Sequence, residues 1–310
     1  MALSLRYIHI DVFTGNALEG NQLAVFPEPG SIDAGLMQAI TREMNFSECT
    51  FVFPPEKEGD FRMRIFTPSE ELPMAGHPTI GTTFVLAREG TIARGRTDFV
   101  FELGVGPTPV SLEWTDGALS FAWMTQPLPS FGGVINDRRG LAAAVGVTES
   151  DLPADLTPQV VSCGVPFLFV PIASRAAVDA VSVDRRALER CCAEAGIEAL
   201  PTFFFASDGP AEGAAHAVYS RMLAPGFGIT EDPATGGASG PLGCYLLHHR
   251  VVTADDARNI LSLQGVAMKR PSRIHISIDS VAGKITRVRV GGRSVIVGRG
   301  QLEFDVPSAV

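Results

Sequence analysis

Several features that would assign this 310-residue chain to a class of protein are missing from it. Its five cysteines are an odd set with no Cys-x-x-Cys spacing, so neither a disulfide framework nor a zinc knuckle is indicated, and we expect a reducing, cytoplasmic location. Lys and Arg number 25 against 34 Asp and Glu, a net charge of −9, and no basic stretch could follow a phosphate backbone. Nucleic acid is therefore not an expected partner.

Long hydrophobic runs are also missing. The longest, Val161–Ala173, is interrupted by Gly164 and by prolines, and it is shorter than the roughly 20 residues that a membrane span needs. The first residues lead directly into a strand-like segment, Tyr7–Phe13, without the apolar core or cleavage site of a signal peptide. We therefore expect no association with a membrane.

Motifs for nucleotides and metals are missing as well. There is no Gly-x-x-x-x-Gly-Lys, and neither Gly132-Gly133 nor Gly291-Gly292 opens a predicted helix. No His-Glu-x-x-His occurs, and the adjacent His248 and His249 would face different directions on a helix. The sequence therefore predicts no metal site and no cofactor.

The composition that remains is that of a globular protein built from many short elements. Hydrophobic residues make up 45% and charged residues 19%, while 32 glycines and 22 prolines are spread along the whole chain. Helix caps are predicted at Ser31, before Ala34–Glu43, and at Asp184, before Arg185–Ala195. Thr79–Glu89 and Ala238–His249 are apolar nearly all round, a pattern typical of buried helices. The predicted strands are Arg6–Val12, Cys49–Phe53, Phe61–Phe66, Asp98–Leu103, Pro109–Trp114, Leu119–Met124, Pro166–Val170, Thr202–Ala206, Ala215–Met222, Ser272–Ile278 and Lys284–Val290.

An internal repeat connects the two apolar helices. Glu71–Thr79 and Glu231–Ser239 share Glu, Pro and Gly at an offset of 160 residues, and each leads into one of these helices. Upstream, Arg64–Pro68 resembles Arg221–Pro225 at an offset of 157. This order indicates a duplicated unit, although two unrelated strand-to-helix turns that both need Pro and Gly would look alike.

The start of each buried helix is a candidate anion site. Glycines there allow close approach of the backbone, and free amides with the positive end of the helix dipole favour negative charge. If two related halves present both helix starts to one cleft, they would clamp a small carboxylate or a developing enolate.

A family resemblance rests on segments that occur in one order along nearly the whole chain. In the first half they are Asp11–Phe13, Gly20–Val25, Met44–Glu48, Arg64–Pro68 and Gly76–Thr79, and in the second half Glu231–Gly236, Gln264-Gly265, Arg270–Ser272 and Val290–Gly292. With these segments the chain resembles the phenazine-biosynthesis PhzF-like isomerases, which have a diaminopimelate-epimerase-like fold.

The resemblance implies an α+β fold of two pseudo-symmetric domains, each a strongly curved sheet or barrel wrapped around a central buried helix. We expect the domains to cover residues 1–126 and 127–310, with the last strand able to cross back to the first domain. The resemblance also implies a cytoplasmic, cofactor-independent homodimer in a biosynthetic process like that of phenazines.

The resemblance further implies that Glu48 transfers the proton, with His77 and Asp232 beside it in the cleft between the domains. The implied substrate-binding residues are Asn21, Gly76, Pro78, Thr235, Gly236 and Gly237. Strand alternation agrees in part, since it sets Glu48 on the face of Thr50, opposite Cys49. Each catalytic residue also has a plainer interpretation: a solvated strand start for Glu48, a helix cap or packing residue for His77, and a turn residue for Asp232.

Two departures from related sequences bear on the reaction. Family members often have Ser where this chain has Gly237, so a hydroxyl that could contact the substrate is missing. In the wider epimerase fold two cysteines act as acid and base, at positions that correspond here to Ala75 and Thr235. Racemisation by two cysteines is therefore not expected, and Cys49 is predicted to be a buried structural thiol.

The function we expect is isomerisation of a small carboxylate without a cofactor. Glu48 would remove a proton from one carbon and return it to another. A small-carboxylate binding protein on the same fold, without catalysis, is the main alternative. An epimerase that pairs Glu48 with a base other than cysteine is a third possibility.

Overall fold

The structure is a computed structural model that describes residues 2–211 and 213–305, and the chain forms two compact units. The first unit runs from the N-terminus to Thr125 and includes the C-terminal segment from Gly291, while the second is Gln126–Val290. The domain bounds 1–126 and 127–310 stay predictions. Among the described residues, no helix is both long and apolar enough to cross a membrane.

Strands make up most of both units. The strands of the first unit are β1 (Ala2–Val12), β2 (Asn21–Phe26), β3 (Glu48–Phe53), β4 (Phe61–Phe66), β5 (Glu71–Leu72), β6 (Asp98–Leu103), β7 (Gly106–Thr115), β8 (Ala118–Gln126) and β18 (Ser294–Asp305). Those of the second are β9 (Ser130–Val134), β10 (Gln159–Ser162), β11 (Pro166–Pro171), β12 (Thr202–Ala211), β13 (Ala214–Ala224), β14 (Ile229–Asp232), β15 (Ile260–Gln264), β16 (Ser272–Val281) and β17 (Lys284–Gly292).

Six α-helices accompany the strands in the described part of the chain. They are α1 (Ala34–Met44), α2 (Gly76–Arg88), α3 (Arg138–Val145), α4 (Arg175–Ala180), α5 (Arg185–Glu194) and α6 (Gly236–His248), with 3₁₀ turns at Glu149–Asp151, Pro225–Phe227 and Asp256–Arg258. The first two helices belong to the first unit and the others to the second.

The two units repeat one order of strand pairing. In the first unit β1 is antiparallel to β2, β2 parallel to β3, β3 antiparallel to β4, and β4 parallel to β6. The second unit repeats these directions: β10 is antiparallel to β11, β11 parallel to β12, β12 antiparallel to β13, and β13 parallel to β15. At the outer edge of this order, β18 is antiparallel to β1, and β9 to β10. The duplication indicated by the sequence repeat is therefore present in the topology.

A repeated ion pair marks the same position in both units. Arg64 of β4 donates from Nε and Nη2 to both carboxylate oxygens of Glu71, at 2.7 and 2.6 Å. Arg221 of β13 does the same to Glu231, at 3.0 and 2.7 Å. Bidentate pairs of this kind fix the angle between a strand and the short strand that follows it. In both units that short strand leads to the turn before the buried helix.

Each unit encloses one helix almost completely. In α2 all residues from Gly76 to Ala87 are buried, and the helix contacts β1, β2, β3 and β18. In α6 the buried residues run from Gly236 to Leu246, and the helix contacts β10, β11 and β16. Burial on all sides explains why neither helix has a polar face, as the sequence indicated.

Both buried helices begin earlier than predicted. The sequence placed their starts at Thr79 and Ala238, but the first helical residues are Gly76 and Gly236. A residue in the first helical turn needs no N–H for the helix itself, so Pro78 fits the third position of α2. The glycines that looked like part of a turn are therefore helical, and this places their amides at the helix starts.

The predicted caps of the two outer helices have different outcomes. Asp184 caps α5 as expected, since its side chain accepts from the Ala187 N–H at 3.0 Å. The prediction of Ser31 for α1 is wrong: Asp33 lies at the cap and accepts from the Leu36 N–H at 2.8 Å. Asp33 directly precedes the first helical residue, and Ser31 is two positions too early for this geometry.

Candidate active site

Glu48 is held where the central strands of the first unit meet α2. It is the first residue of β3, and its backbone is paired with Leu23 of β2. Two residues further along β3, the hydroxyls of Thr50 and of Thr82 in α2 are 2.8 Å apart and buried. Side chains alternate along a strand, so Glu48 shares the face of Thr50 and is directed toward the helix rather than toward α1. Its side chain is only 13% exposed, which contradicts the plainer interpretation of a solvated strand start.

Glu48, His77 and Asn21 form a contiguous set of side chains. His77, the second residue of α2, has Nε2 3.1 Å from Oε2 of Glu48. On the other side of the ring, Nδ1 is 3.1 Å from the amide nitrogen of Asn21, the first residue of β2. An amide nitrogen can only donate, so Nδ1 accepts and the ring proton of a neutral His77 lies on Nε2, facing Glu48. Asn21, predicted as a substrate-binding residue, therefore selects the tautomer of His77.

The Glu48–His77 contact is short but poorly directed. The two atoms are within contact distance, yet Oε2 of Glu48 is buried without an aligned hydrogen bond from any described residue. Buried carboxylate oxygens normally accept hydrogen bonds, and those that do not are concentrated at functional sites. Contacts of catalytic groups are often loosely aligned before a substrate binds. The Glu48 side chain therefore has a fixed position, while its Oε2 accepts no aligned hydrogen bond from the described residues.

The start of α2 supplies a backbone donor in the same unit. Gly76 is the first helical residue and Ala75 the N-cap, which makes no side-chain cap hydrogen bond. The first N–H groups of a helix have no partner within it, and Gly76 is buried. Pro78, the third residue, contributes no N–H, so donors at this end come from the two residues before it.

The second unit contains the other predicted catalytic residue, Asp232, in a network of its own. Asp232 ends β14 and is buried, and its Oδ2 accepts from the Thr235 hydroxyl at 2.6 Å. Thr235 is the N-cap of α6. Gln264, at the end of β15, accepts from the Thr235 N–H at 2.9 Å and donates to the Asp232 carbonyl at 2.8 Å. Sequence reasoning noted Gln264 only as part of a motif, and the signal it overlooked was a buried amide at a strand end.

Gly236 and Gly237 open α6 with backbone N–H groups and no side chains. Both are buried, and no described residue accepts from their N–H groups. A Cβ built on Gly237 would lie 3.8 Å from the nearest atom, on the ring of Phe167, and the backbone φ is not positive. The site therefore has room for a serine, the residue that the family resemblance leads us to expect there.

The two units differ in their chemistry although they share a topology. Arg64 is paired with Phe51 of β3, and Arg221 with Phe204 of β12. Three residues before each phenylalanine lie Glu48 in the first unit and Pro201 in the second, so Pro201 takes the position of Glu48. The repeat at the helix starts sets Gly237 where the first unit has His77. Only the first unit therefore carries the carboxylate and imidazole pair.

The cysteines do not contribute a thiol to either helix start. The N-cap residues of the two buried helices are Ala75 and Thr235, so neither N-cap carries a thiol. All five cysteines are buried and none forms a disulfide. Burial raises the pKa of the Cys49 thiol to about 12, and Cys49 packs beside Phe51 on the face of β3 that meets α1. It is a structural thiol, as predicted.

Other groupings of side chains lie apart from Glu48. A cavity of about 880 Å³ in the first unit is lined by residues of β4, β6 and the loops around them, among them the charged Arg62, Arg64 and Glu102. Neither Glu48 nor His77 lines it. Across residues 2–211 and 213–305, no group of three or more His, Cys, Asp or Glu is arranged to hold a metal ion.

Comparison with known proteins assigns this arrangement to a class. The chain is similar in fold to a Bacillus anthracis phenazine biosynthesis protein of the PhzF family, with a TM-score of 0.84, 23% identity, and coverage of 97% of this chain and 99% of that one. A predicted epimerase from Pseudomonas aeruginosa superposes with a TM-score of 0.78 at 30% identity, covering 96% of this chain and 99% of that one. The α+β, diaminopimelate-epimerase-like fold expected from the sequence is confirmed.

Sequence comparison assigns the family. The profile described as "Phenazine biosynthesis-like protein" matches residues 10–300. The trans-2,3-dihydro-3-hydroxyanthranilate isomerase of Pseudomonas aeruginosa is 36% identical over 296 residues, which cover 96% of this chain and 98% of that protein. This chain belongs to the PhzF family of phenazine biosynthesis-like proteins and is an isomerase.

Proposed function

We propose that this isomerase moves a proton between two carbons of a small substrate that bears a carboxylate, with Glu48 as both acid and base. The observation that carries the proposal is the Glu48 carboxylate oxygen, buried without an aligned hydrogen bond and 3.1 Å from Nε2 of His77. A group that must accept a proton and then release it needs a fixed position and a free lone pair.

The steps balance without any oxidant, reductant or added group. The ionised Glu48 takes a proton from an activated carbon, and the electron pair of the broken C–H bond delocalises through the conjugated system toward the substrate carboxylate. The resulting Glu48 carboxylic acid then gives the proton to a second carbon, where the electron pair forms the new C–H bond. His77, with its proton on Nε2, stabilises the charge that develops nearby.

Backbone donors at the helix starts would bind the substrate carboxylate or the developing enolate. The N–H of Gly76 is the candidate donor in the first unit, and those of Gly236 and Gly237 in the second. One well-placed donor to a developing oxyanion contributes about 3 kcal/mol in other enzymes. Asp232, buried at the end of β14, is the further acidic residue of the proposed active site.

The name of the relative at 36% identity suggests the first substrate to test, trans-2,3-dihydro-3-hydroxyanthranilate. This compound is an amino acid with its carboxylate on a partly reduced ring, so it fits the substrate class that the proposal requires. The net charge of −9 is not an obstacle, because free helix-start amides create a local positive potential that net charge does not describe.

The deciding experiment compares Glu48→Gln with Glu43→Gln, a matched control at an exposed residue of α1. Chelator-treated enzyme is mixed with the dihydrohydroxyanthranilate in D₂O, and turnover and deuterium at carbon are followed by mass spectrometry. We expect turnover by the wild type and by Glu43→Gln, and a loss of at least a thousandfold in Glu48→Gln. Full turnover by a folded Glu48→Gln variant would refute the role of Glu48.

Two other outcomes would point to the alternatives. A ligand that binds without turnover or isotope exchange would favour a binding protein, an outcome to which the missing hydroxyl at Gly237 lends weight. A product that differs from the substrate only in the configuration at one carbon would identify an epimerase, as the similarity to a predicted epimerase at 30% identity suggests. Chiral chromatography of the product separates this result from isomerisation.

A further inference from the structure

Gln264 is a fully buried amide whose hydrogen-bonding groups are all engaged by one turn. Its Oε1 accepts from the Thr235 N–H at 2.9 Å. Its Nε2 donates to the Asp232 carbonyl at 2.8 Å and to the Thr235 hydroxyl oxygen at 2.9 Å. The amide therefore spans the segment between the end of β14 and the start of α6.

The orientation of this amide is determined by the backbone around it. A peptide N–H can only donate and a peptide carbonyl can only accept. If the Gln264 amide were rotated by half a turn, its Nε2 would face the Thr235 N–H, donor against donor. Its Oε1 would face the Asp232 carbonyl, acceptor against acceptor. The arrangement with Nε2 toward Asp232 is thus the one that satisfies both backbone groups.

The direction of the next hydrogen bond follows from this orientation. Because the Thr235 hydroxyl oxygen accepts from Gln264, its single proton is available for Oδ2 of Asp232, 2.6 Å away. That distance is typical of a hydroxyl that donates to an ionised carboxylate. The three side chains form a one-way chain of donors from Gln264 through Thr235 to Asp232.

We propose that Gln264 and Thr235 are positioning residues for Asp232, which they hold as an oriented hydrogen-bond acceptor at the start of α6. The proposal rests on the proposed function, in which Asp232 belongs to the active site. Neither Gln264 nor Thr235 transfers the substrate proton. Gln264 instead fixes the rotamer of the Thr235 hydroxyl, and this hydroxyl favours the ionised form of the Asp232 carboxyl group.

The hydrogen bonds of Gln264 also restrict which N–H donors of α6 are available to a ligand. The Thr235 N–H is occupied by Gln264, whereas the N–H groups of Gly236 and Gly237 have no acceptor among the described residues. An anion at this helix start would therefore meet the two glycine amides and not the N-cap amide. The Gln264 amide thus orients the acceptor of this turn, the Asp232 carboxylate, and leaves the Gly236 and Gly237 N–H groups as its donors.

The test uses the titration of the Asp232 carboxyl carbon, followed by ¹³C NMR and assigned through Asp232→Asn. In Thr235→Val we expect the titration midpoint to rise by about one pH unit or more, since a charge-assisted hydrogen bond to the carboxylate is lost. Thr235→Ser keeps the hydroxyl and should retain the wild-type midpoint. Gln264→Glu keeps an acceptor for the Thr235 N–H but loses the Nε2 donors, and we expect it to shift in the same direction.

Ser272→Ala provides the matched control. The Ser272 hydroxyl donates to the Pro233 carbonyl at 2.8 Å. This variant therefore breaks a buried hydrogen bond of the same turn that does not belong to the series from Gln264 through Thr235 to Asp232. It should lower stability and leave the Asp232 titration unchanged. An unchanged midpoint in folded Thr235→Val, or an equal shift in Ser272→Ala, would overturn the proposal.

Kinetics with trans-2,3-dihydro-3-hydroxyanthranilate distinguish this proposal from the proposed function. Where the wild type turns the compound over, Thr235→Val should lower kcat about tenfold with KM unchanged, matching the free energy of a one-unit shift. The double variant Thr235→Val with Gln264→Leu should lose no more than Thr235→Val alone. Full turnover by Glu48→Gln would refute the proposed function while leaving the titration result intact. Full turnover by Asp232→Asn would refute the positioning role.

Discussion

The buried hydrogen bond between Thr50 and Thr82 permits a quantitative test of how Glu48 and His77 are held together. It joins β3, which begins at Glu48, to α2, whose second residue is His77. Thr50→Val and Thr82→Val each remove one hydroxyl and keep the shape of the side chain. The double variant removes both.

The structure predicts unequal costs for the two single variants. Leaving a buried hydroxyl without a partner costs about 1–3 kcal/mol. In Thr50→Val the remaining Thr82 hydroxyl can turn back to the carbonyl four residues earlier, as the Thr79 and Thr83 hydroxyls already do at 2.7 Å. In Thr82→Val the remaining Thr50 hydroxyl lies on a strand and has no such alternative. We expect about 1 kcal/mol for Thr50→Val, about 2 kcal/mol for Thr82→Val, and less than their sum for the double variant.

Tryptophan fluorescence during urea unfolding measures the loss in free energy of unfolding of the first unit, which contains Thr50 and Thr82. The chain has two tryptophans, Trp114 and Trp123, and both belong to the first unit. The slope of the unfolding curve should stay constant, so that shifts of the midpoint report stability. Additive losses in the double variant, or a Thr50→Val loss at least equal to that of Thr82→Val, would refute the reasoning.

Three further predictions concern the site and its surroundings. Asn21→Asp replaces the donor to Nδ1 of His77 with an acceptor and moves the ring proton away from Glu48, so kcat should fall by about 10²–10⁴ without unfolding; an unchanged kcat would contradict the assigned tautomer. Gly237→Ser should be accommodated beside Phe167 and stabilise α6 by roughly 0.5 kcal/mol in urea unfolding, and a large loss would show that the position is closed. The pKa of Cys49 is raised from 9.0 to about 12, so its contribution to stability is present below pH 9 and lost as the pH rises toward 12; Cys49→Ala should flatten this alkaline decline in thermal unfolding.

The elements that sequence reasoning located are those with a strong local pattern. Phe61–Phe66 and Asp98–Leu103 were predicted with their observed bounds, because alternation and flanking turn residues mark both ends. Seven strands were not predicted: β2, β5, β9, β10, β14, β15 and β18. β15 is buried on both faces and has no alternation, and the outer strand β18 depends on pairing with β1 at the opposite end of the chain. Such pairing leaves little trace in local sequence.

The candidate site shows the same division. Local pattern placed Glu48 on the face of Thr50, and the motif order brought His77 and Asp232 into consideration. The contact of Asn21 with His77 joins residues 56 positions apart, and the support of Asp232 by Gln264 joins residues 32 apart. Spacing along the chain cannot reveal contacts that arise from strand order. The roles assigned to Glu48, His77 and Asp232 stay predictions until variants are measured.

The nearly complete burial of α2 has a consequence for the motions of the enzyme. Amide protons in the middle of this helix reach solvent only when the surrounding strands separate, so their hydrogen exchange should require unfolding of the whole first unit. His77 is thus attached to one of the slowest-opening parts of the molecule, while Glu48 begins a strand that follows directly on a short loop after α1. Adaptation to a new substrate would then be easier through the loops before the strands than through the helix, whose neighbours on every side constrain its residues.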